Sequence, residues 1–371
     1  MRSKKNPTSK STLKTTILLF LLFIGFGIPA QLSCQSPESI ENKLDDYMNV
    51  HLQDRSFMGS ILLARDGRIL VSKGYGMANL EHDVPNTPQT KFRLGSITKQ
   101  FTSMSIMQLQ KKGLLNVNDT FDKYIPDFKS GDLFTIHHLL THTSGVISFT
   151  GFPDYRKTMI LPLTLEEIIA KFKGRPLEFE SGSQFKYSNS GYILLGYIIE
   201  KVSGLSYADY IKENIFDPLG MGDTGYDSHR MVLKNRATGY ISSKERYINS
   251  DYIDMKIPHA AGALYSTVED LYKWDRALYT DKLIDTTSLE KMFTPFKNGY
   301  GYGWGIGTII DHKRIAHNGG INGFVTHIGR FPEDDACIII LSNQANAKMR
   351  DIVKDVTAIL FDEPYSIPEI K

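Results

Sequence analysis

Cysteine is nearly absent: only Cys34 and Cys337 occur in 371 residues, with neither metal nor redox spacing between them. A structural disulfide is not indicated, and no thiol-based metal site can organise the fold. Several catalytic signatures are missing as well. There is no Gly-x-Ser-x-Gly, no His-Glu-x-x-His and no Gly-x-x-x-x-Gly-Lys-Ser/Thr, so the nucleophile elbow, the helical zinc-protease site and the phosphate-cradling loop are all excluded. No internal repeat and no low-complexity linker interrupts the chain. Nor is there a basic stripe interleaved with aromatics, so nucleic acid is not an expected partner.

The one strongly apolar run is short and close to the start. Arg2, Lys4, Lys5, Lys10 and Lys14 precede Ile17-Leu18-Leu19-Phe20-Leu21-Leu22-Phe23-Ile24, and the run continues to about Ala30. A basic segment, a short apolar stretch and small residues after it read as an export signal, since a spanning helix wants about 20 apolar residues. Residues 1–30 carry five cations and no anions, so their removal takes the net charge from +2 to −3. Cys34 follows in Gln31-Leu32-Ser33-Cys34-Gln35, which resembles the cleavage and lipidation site of bacterial lipoproteins, although Gln31 stands where an aliphatic residue is preferred. Residues 1–34 are therefore expected to be an export or lipoprotein signal and residues 35–371 the folded domain. The location expected is exported, periplasmic or secreted, with membrane contact only through the signal or a lipid on Cys34. Cys337, inside Ala336-Cys337-Ile338-Ile339-Ile340-Leu341, reads as a small buried strand residue.

What remains has 41% hydrophobic and 23% charged residues over the chain, enough to bury a substantial core. Apolar positions at helical spacing predict a first helix over residues 38–53. Two β-rich runs, 59–65 and 68–74, flank Asp66-Gly67 and predict a hairpin. Further helices are expected over 99–112, 136–142, 165–172, 191–202, 207–215 and 266–279, the last with Ser266 and Glu269 as a capping box. Residues 299–305 alternate glycine and aromatic side chains at period 2 and read as a strand. Residues 324–331 and 336–341 follow as strands, and a helix over 348–361 closes the chain. The expected fold is α+β: an antiparallel sheet built from both ends of the chain, flanked by helices, with a mainly helical region of about 104–255 inserted and the site at their junction.

Candidate chemistry starts from Ser-x-x-Lys. On the first turn of a helix the pair shares one face, so the amine reaches the hydroxyl, and free backbone N–H groups are available to an oxyanion. The lysine must be neutral to act as a base. The pattern occurs four times, at Ser11/Lys14, Ser96/Lys99, Ser183/Lys186 and Ser288/Lys291. Ser11 lies in the signal, Ser183 in a Gly/Ser turn, and Ser288 is expected inside a helix without free N–H groups. Only Ser96 follows a glycine and opens a long amphipathic segment. Tyr-x-Asn occurs three times, at Tyr47, Tyr187 and Tyr247. His138 and His142, four apart, could suit a metal, but with no third ligand they read as structural histidines at a helix–loop junction.

The segment Phe179-Glu180-Ser181-Gly182-Ser183-Gln184-Phe185-Lys186-Tyr187-Ser188-Asn189 resembles the second motif of the serine β-lactamase and DD-peptidase superfamily, in the branch of class C β-lactamases and their esterase and peptidase relatives. Ser181 departs from the proline often found there. Gly95-Ser96-Ile97-Thr98-Lys99 resembles the nucleophile motif, and His138-Leu139-Leu140-Thr141-His142-Thr143-Ser144-Gly145 a structural signature of the branch. His317-Asn318-Gly319-Gly320 matches the third motif, in preference to Lys297-Asn298-Gly299, because a Gly-x-x-Gly-Phe run follows it. The resemblance spans about residues 40–361.

That resemblance implies an acyl-enzyme serine hydrolase without metal, nucleotide or flavin. Ser96 is the implied nucleophile, Lys99 its base, and Tyr187 the proton-transfer partner. Asn189, His317 and Gly319 orient substrate, and the backbone N–H groups of Ser96 and Gly320 form the oxyanion hole. A histidine in place of the third-motif lysine removes a permanent cation from where β-lactams put their carboxylate. An ester or peptide substrate is therefore expected first, with β-lactamase or D-alanyl-D-alanine carboxypeptidase activity second. A sensor or scaffold that acylates without turnover is third. No motif bears on oligomeric state.

Overall fold

The computed structural model of the chain describes residues 39–243 and 246–368. The expected signal and Cys34 lie outside them. Six strands make the central antiparallel sheet: β1 (Gly59–Arg65), β2 (Arg68–Tyr75), β3 (Gly305–Ile309), β4 (His312–Ile321), β5 (Phe324–Phe331) and β6 (Ala336–Ser342), in the spatial order β3-β4-β5-β6-β1-β2. N- and C-terminal strands meet where β1 pairs with β6 from Gly59↔Ser342 to Arg65↔Ala336. The hairpin turn between β1 and β2 puts Asp66 at φ 52° and Gly67 at φ 68°, the left-handed pair that a two-residue hairpin requires.

Successive side chains on a strand face opposite ways, and β6 is apolar on both sides. Cys337, Ile339 and Leu341 join the larger core, while Ile338 and Ile340 join a second one. The second core is closed by α1 (Ile40–Gln53) and the C-terminal helix, which buries Ile352, Val356 and Ile359. The larger core is shared with the helices that intervene between β2 and β3. Those used below are α2 (Thr98–Lys111), α3 (Ile136–Leu140), α4 (Leu165–Lys173), α5 (Asn189–Ser203), α6 (Val268–Ala277) and α7 (Thr286–Phe293); the C-terminal helix is α8 (Met349–Phe361). Among the described residues no helix is long and apolar enough to cross a membrane.

Residues 98–109 of α2 are all buried, which makes it the pillar of the helical region. Several of its polar side chains are paired inside: Thr102 donates to the Ala260 carbonyl at 2.7 Å, and Gln100 Oε1 accepts from the Trp274 indole at 2.9 Å. Such pairing is what makes a polar helix tolerable in a core.

Three local expectations need correction. Residues 299–304 are not a strand; only Gly305 onward enters β3. Gly299 and Gly303 adopt φ 66° and 78°, and the glycines serve close approach instead: a Cβ on Gly301 would lie 2.3 Å from the Met292 carbonyl and one on Gly303 2.8 Å from that of Lys99. The cap of α6 is Thr267, which accepts from the Asp270 N–H, while the Ser266 hydroxyl is engaged with Thr224 at 2.7 Å. Ser288 sits in the first turn of α7, not inside it, and its hydroxyl is bound to the capping Asp285 at 3.2 Å.

Candidate active site

Ser96 is the middle residue of a 3-10 turn, Gly95–Ile97, that runs straight into α2. Its side chain caps neither the turn nor the helix. The hydroxyl is left for Lys99, whose Nζ lies 3.0 Å away. One turn on from Ser96 and second in α2, Lys99 is fully buried, and its Nζ also contacts Asn189 Oδ1 at 2.9 Å and the Ala261 carbonyl at 2.8 Å.

These contacts decide the lysine's chemistry. Burial drives its pKa well below the ordinary lysine value, because an unhydrated ammonium is costly. Two of its three neighbours are carbonyl oxygens, which can only accept. A neutral amine has two N–H donors and one lone pair; the carbonyls take both donors, and the lone pair is left facing the Ser96 hydroxyl. Asn189 is held for this role, since its Nδ2 donates to Thr150 at 3.1 Å and its backbone N–H to Ser148 at 3.1 Å.

Tyr187 precedes α5, whose cap is Ser188. Its phenol bonds Ser96; burial raises its pKa, and that bond pulls the other way. The ring lies against Lys99 Nζ, 4.9 Å from the nitrogen to the ring centroid. His142 packs against it at a tilt of 38°, with ring centroids 4.1 Å apart. His142 Nδ1 accepts from the Ser188 N–H at 3.2 Å, and its carbonyl accepts from the Lys186 N–H at 2.9 Å, so this one residue grips both sides of Tyr187. Burial, Lys99 and His317 all push its imidazole down, keeping it neutral. His138, by contrast, closes a capping box with Thr135.

His317 reaches the pocket from β4. Its Nδ1 lies 2.6 Å from the Asn318 carbonyl, which can only accept, so Nδ1 holds the proton and Nε2 receives the Tyr300 hydroxyl at 2.9 Å. The neutral ring is therefore fully bonded. Loss of hydration and the nearby Lys99 push its pKa down to about 4.

The rest of the third motif is shaped by close approach. A Cβ on Gly95, whose φ is 54°, would fall 2.8 Å from the Gly320 nitrogen, and one on Gly319 would fall 1.9 Å from the Leu94 carbonyl. The missing side chains let β4 lie against the turn that bears Ser96. A cavity of about 580 Å³ opens there, lined by Ser96, Tyr187, Tyr300, His317, Gly319 and Gly320 among others. Asn298 and Gly299 of the competing Lys297 motif are only part of its wall. All the residues expected at the site thus converge, except Cys34, which is outside the described residues.

A family model described as Beta-lactamase matches residues 44–360. The chain belongs to the Beta-lactamase family. Penicillin-binding protein 4* of Bacillus subtilis (strain 168) is 33% identical to it over 342 residues, covering 85% of this chain and 75% of that protein. The octameric penicillin-binding protein homologue from Pyrococcus abyssi has TM-score 0.77 and 33% identity over 86% of this chain and 77% of its own. D-amino acid amidase from Ochrobactrum anthropi SV3, complexed with L-phenylalanine amide, has TM-score 0.78 over 87% and 99% of the two chains at 24% identity, a likeness of fold.

Within this Beta-lactamase-family site, three participants were not legible as such in the sequence. Tyr300 was hidden in an apparent strand, and Thr150 in a loop without a motif. The Ala261 carbonyl carries no side-chain signal at all and lies 162 residues from the lysine it binds.

Proposed function

We propose that the chain is an exported serine hydrolase that cleaves an ester or amide bond through an acyl-enzyme on Ser96. The observation that carries this is the fully buried Lys99, whose Nζ lies 3.0 Å from Ser96 Oγ and whose pKa burial drives well below the ordinary lysine value. Lys99 takes the hydroxyl proton as Oγ attacks the substrate carbonyl. The oxyanion is received by the N–H groups of Ser96 and Gly320. Collapse of the tetrahedral intermediate breaks the bond to the leaving group, which receives a proton through Tyr187. Water then enters, loses its proton to the same Lys99 and Tyr187 network, and releases the acid and free Ser96.

His317 favours neutral carbonyl substrates over anionic ones, since at neutral pH it brings no charge and its lone pair is already engaged. The names of the penicillin-binding relatives support the second reading, a β-lactamase or D-alanyl-D-alanine carboxypeptidase. Ser96→Ala is expected to abolish both p-nitrophenyl ester hydrolysis and labelling by a fluorophosphonate probe; full labelling of that variant overturns the assignment. A D-amino-acid peptide panel and a chromogenic cephalosporin distinguish the two substrate classes. A single burst of product followed by no turnover identifies a sensor instead.

A further inference from the structure

Among the described residues other than glycine, two combine burial with a left-handed backbone: His142 at φ 56° and His259 at φ 36°. Side-chain-bearing residues avoid that region because Cβ crowds the following carbonyl, so a buried one is held there by its surroundings. His142 packs against Tyr187. His259 stands outside the site described above, yet it opens the single turn His259–Gly262 that carries Ala261. The His259 carbonyl closes this turn by accepting from the Ala263 N–H at 2.9 Å. The next two carbonyls leave it toward α2: that of Ala260 accepts from Thr102 at 2.7 Å, and that of Ala261 from Lys99 Nζ at 2.8 Å. A turn hydrogen-bonded on itself moves as one piece, and φ of His259 is a bond about which it swings. An ordinary helical φ would rotate it by roughly 100° and take the Ala261 carbonyl off the lysine.

The imidazole holds that conformation from three sides. Its Nδ1 lies 3.1 Å from the Tyr226 hydroxyl, and its Nε2 faces Glu200 Oε1 on α5 at 3.7 Å. Glu200 is itself fixed, since Oε1 accepts from the Tyr207 N–H at 2.9 Å, and the Tyr207 ring lies 5.1 Å from the imidazole. On the third side α5 comes close at Gly196, where a Cβ would fall 2.6 Å from Ala260 Cβ and 2.9 Å from His259 Nε2. One helix thus serves both oxygens on the lysine: α5 presents Asn189 at its start, and two to three turns later it braces the turn that presents Ala261.

We propose that His259 is a positioning residue for the base. Its side chain, set between Tyr226, Glu200 and Gly196, fixes the left-handed turn that aims the Ala261 carbonyl at Lys99 Nζ. With that carbonyl in place both N–H donors of the neutral amine are engaged, and its lone pair stays on Ser96. With the carbonyl swung away, an N–H is free to turn toward Ser96 and the amine is a poorer proton acceptor. This role rests on the hydrolase reading of Ser96 and is exerted only through Ala261 and Lys99.

Two variants test it. His259→Gly permits the same φ without the ring, and Tyr226→Phe removes one hydroxyl and leaves the backbone in place. The titratable groups facing Lys99 are Tyr187 and Tyr192, with ring centroids 4.9 and 5.4 Å from Nζ, and the histidines His142 and His317. Burial raises both phenols and lowers both imidazoles, so all four are uncharged between about pH 5 and about pH 9. A carbonyl favours an ammonium over an amine as its donor, so its departure lowers the lysine pKa further. In His259→Gly the acid limb of kcat/KM for p-nitrophenyl acetate is expected to move down by at least ~0.5 pH unit, with a plateau ~10-fold lower or more. The carbon NMR resonance of Lys99 Cε, identified by its loss in Lys99→Met, should titrate with the same shift. Tyr226→Phe should move both readouts the same way by less. Ile359→Val, a truncation in the second core, controls for lost stability alone and should leave the limb in place. A limb and resonance that stay put, or move up, in both variants overturn the proposal. If the resonance shifts as expected but the natural protein hydrolyses no ester and takes no fluorophosphonate label, the placement of Lys99 by His259 stands and the hydrolase reading falls.

Discussion

At the scale of the residue, Lys99 carries the tightest chemical constraint. Its pKa in the fold lies well below the value in the unfolded chain, through desolvation. Between the two values the unfolded chain holds a proton that the folded chain has released, so raising the pH favours the fold. Relative to Lys99→Met, the natural protein should therefore gain stability as pH rises from neutral toward the ordinary lysine range. Urea melts at about pH 7 and about pH 9.5 read the difference; a gap that does not change with pH shows that the folded lysine is charged. The same substitution removes the base and is expected to lower acylation by at least ~100-fold.

At the scale of the element, the site depends on a strand and a turn touching without side chains between them. Gly319→Ala puts a Cβ 1.9 Å from the Leu94 carbonyl and 2.2 Å from the Thr326 hydroxyl, an overlap that only separation of β4 from the Ser96 turn relieves. Its expected cost is about 2–4 kcal/mol, with loss of activity. Gly320→Ala is the control, because a Cβ there meets nothing within 4 Å; its stability should stay within about 0.5 kcal/mol of the natural protein. Comparable destabilisation by both would show that backbone freedom, not close approach, selects glycine at these positions.

Across the whole molecule, the sheet and the helical layer are joined by a fully buried ion pair. Arg330 on β5 donates from Nε to Asp275 on α6 at 2.9 Å, and both side chains are almost entirely inaccessible. Burial outweighs the pairing at Asp275, whose carboxyl is raised above its usual range. Asp275→Ala leaves an uncompensated guanidinium in the core and is expected to cost about 3–5 kcal/mol in a urea melt. Asp275→Leu/Arg330→Met should recover most of that loss, since an apolar pair needs no partner. A double variant as unstable as the single one would mean that the pair also holds the packing of α6 on the sheet.

Strands and helices were legible wherever one short period ruled a segment. The continuous apolar run of β6, the Asp66-Gly67 hairpin and the helix that follows Ser96 are local patterns, set by backbone geometry and by which faces meet a core. Glycine at 299–305 misled because the same spacing arises when chain segments must pack backbone to backbone. Ser96, Lys99, Tyr187, Asn189 and His317 could be named from the sequence because three motifs in order restrict one another. What the order of residues could not decide was the state of those groups. The pKa of Lys99 is set by lost water, the posture of Tyr187 by His142, and the tautomer of His317 by Tyr300 and Asn318. Each is a contact or a dielectric environment made only when distant segments meet, so the sequence by itself determined which atoms could react, and only the tertiary structure decided their charge and direction.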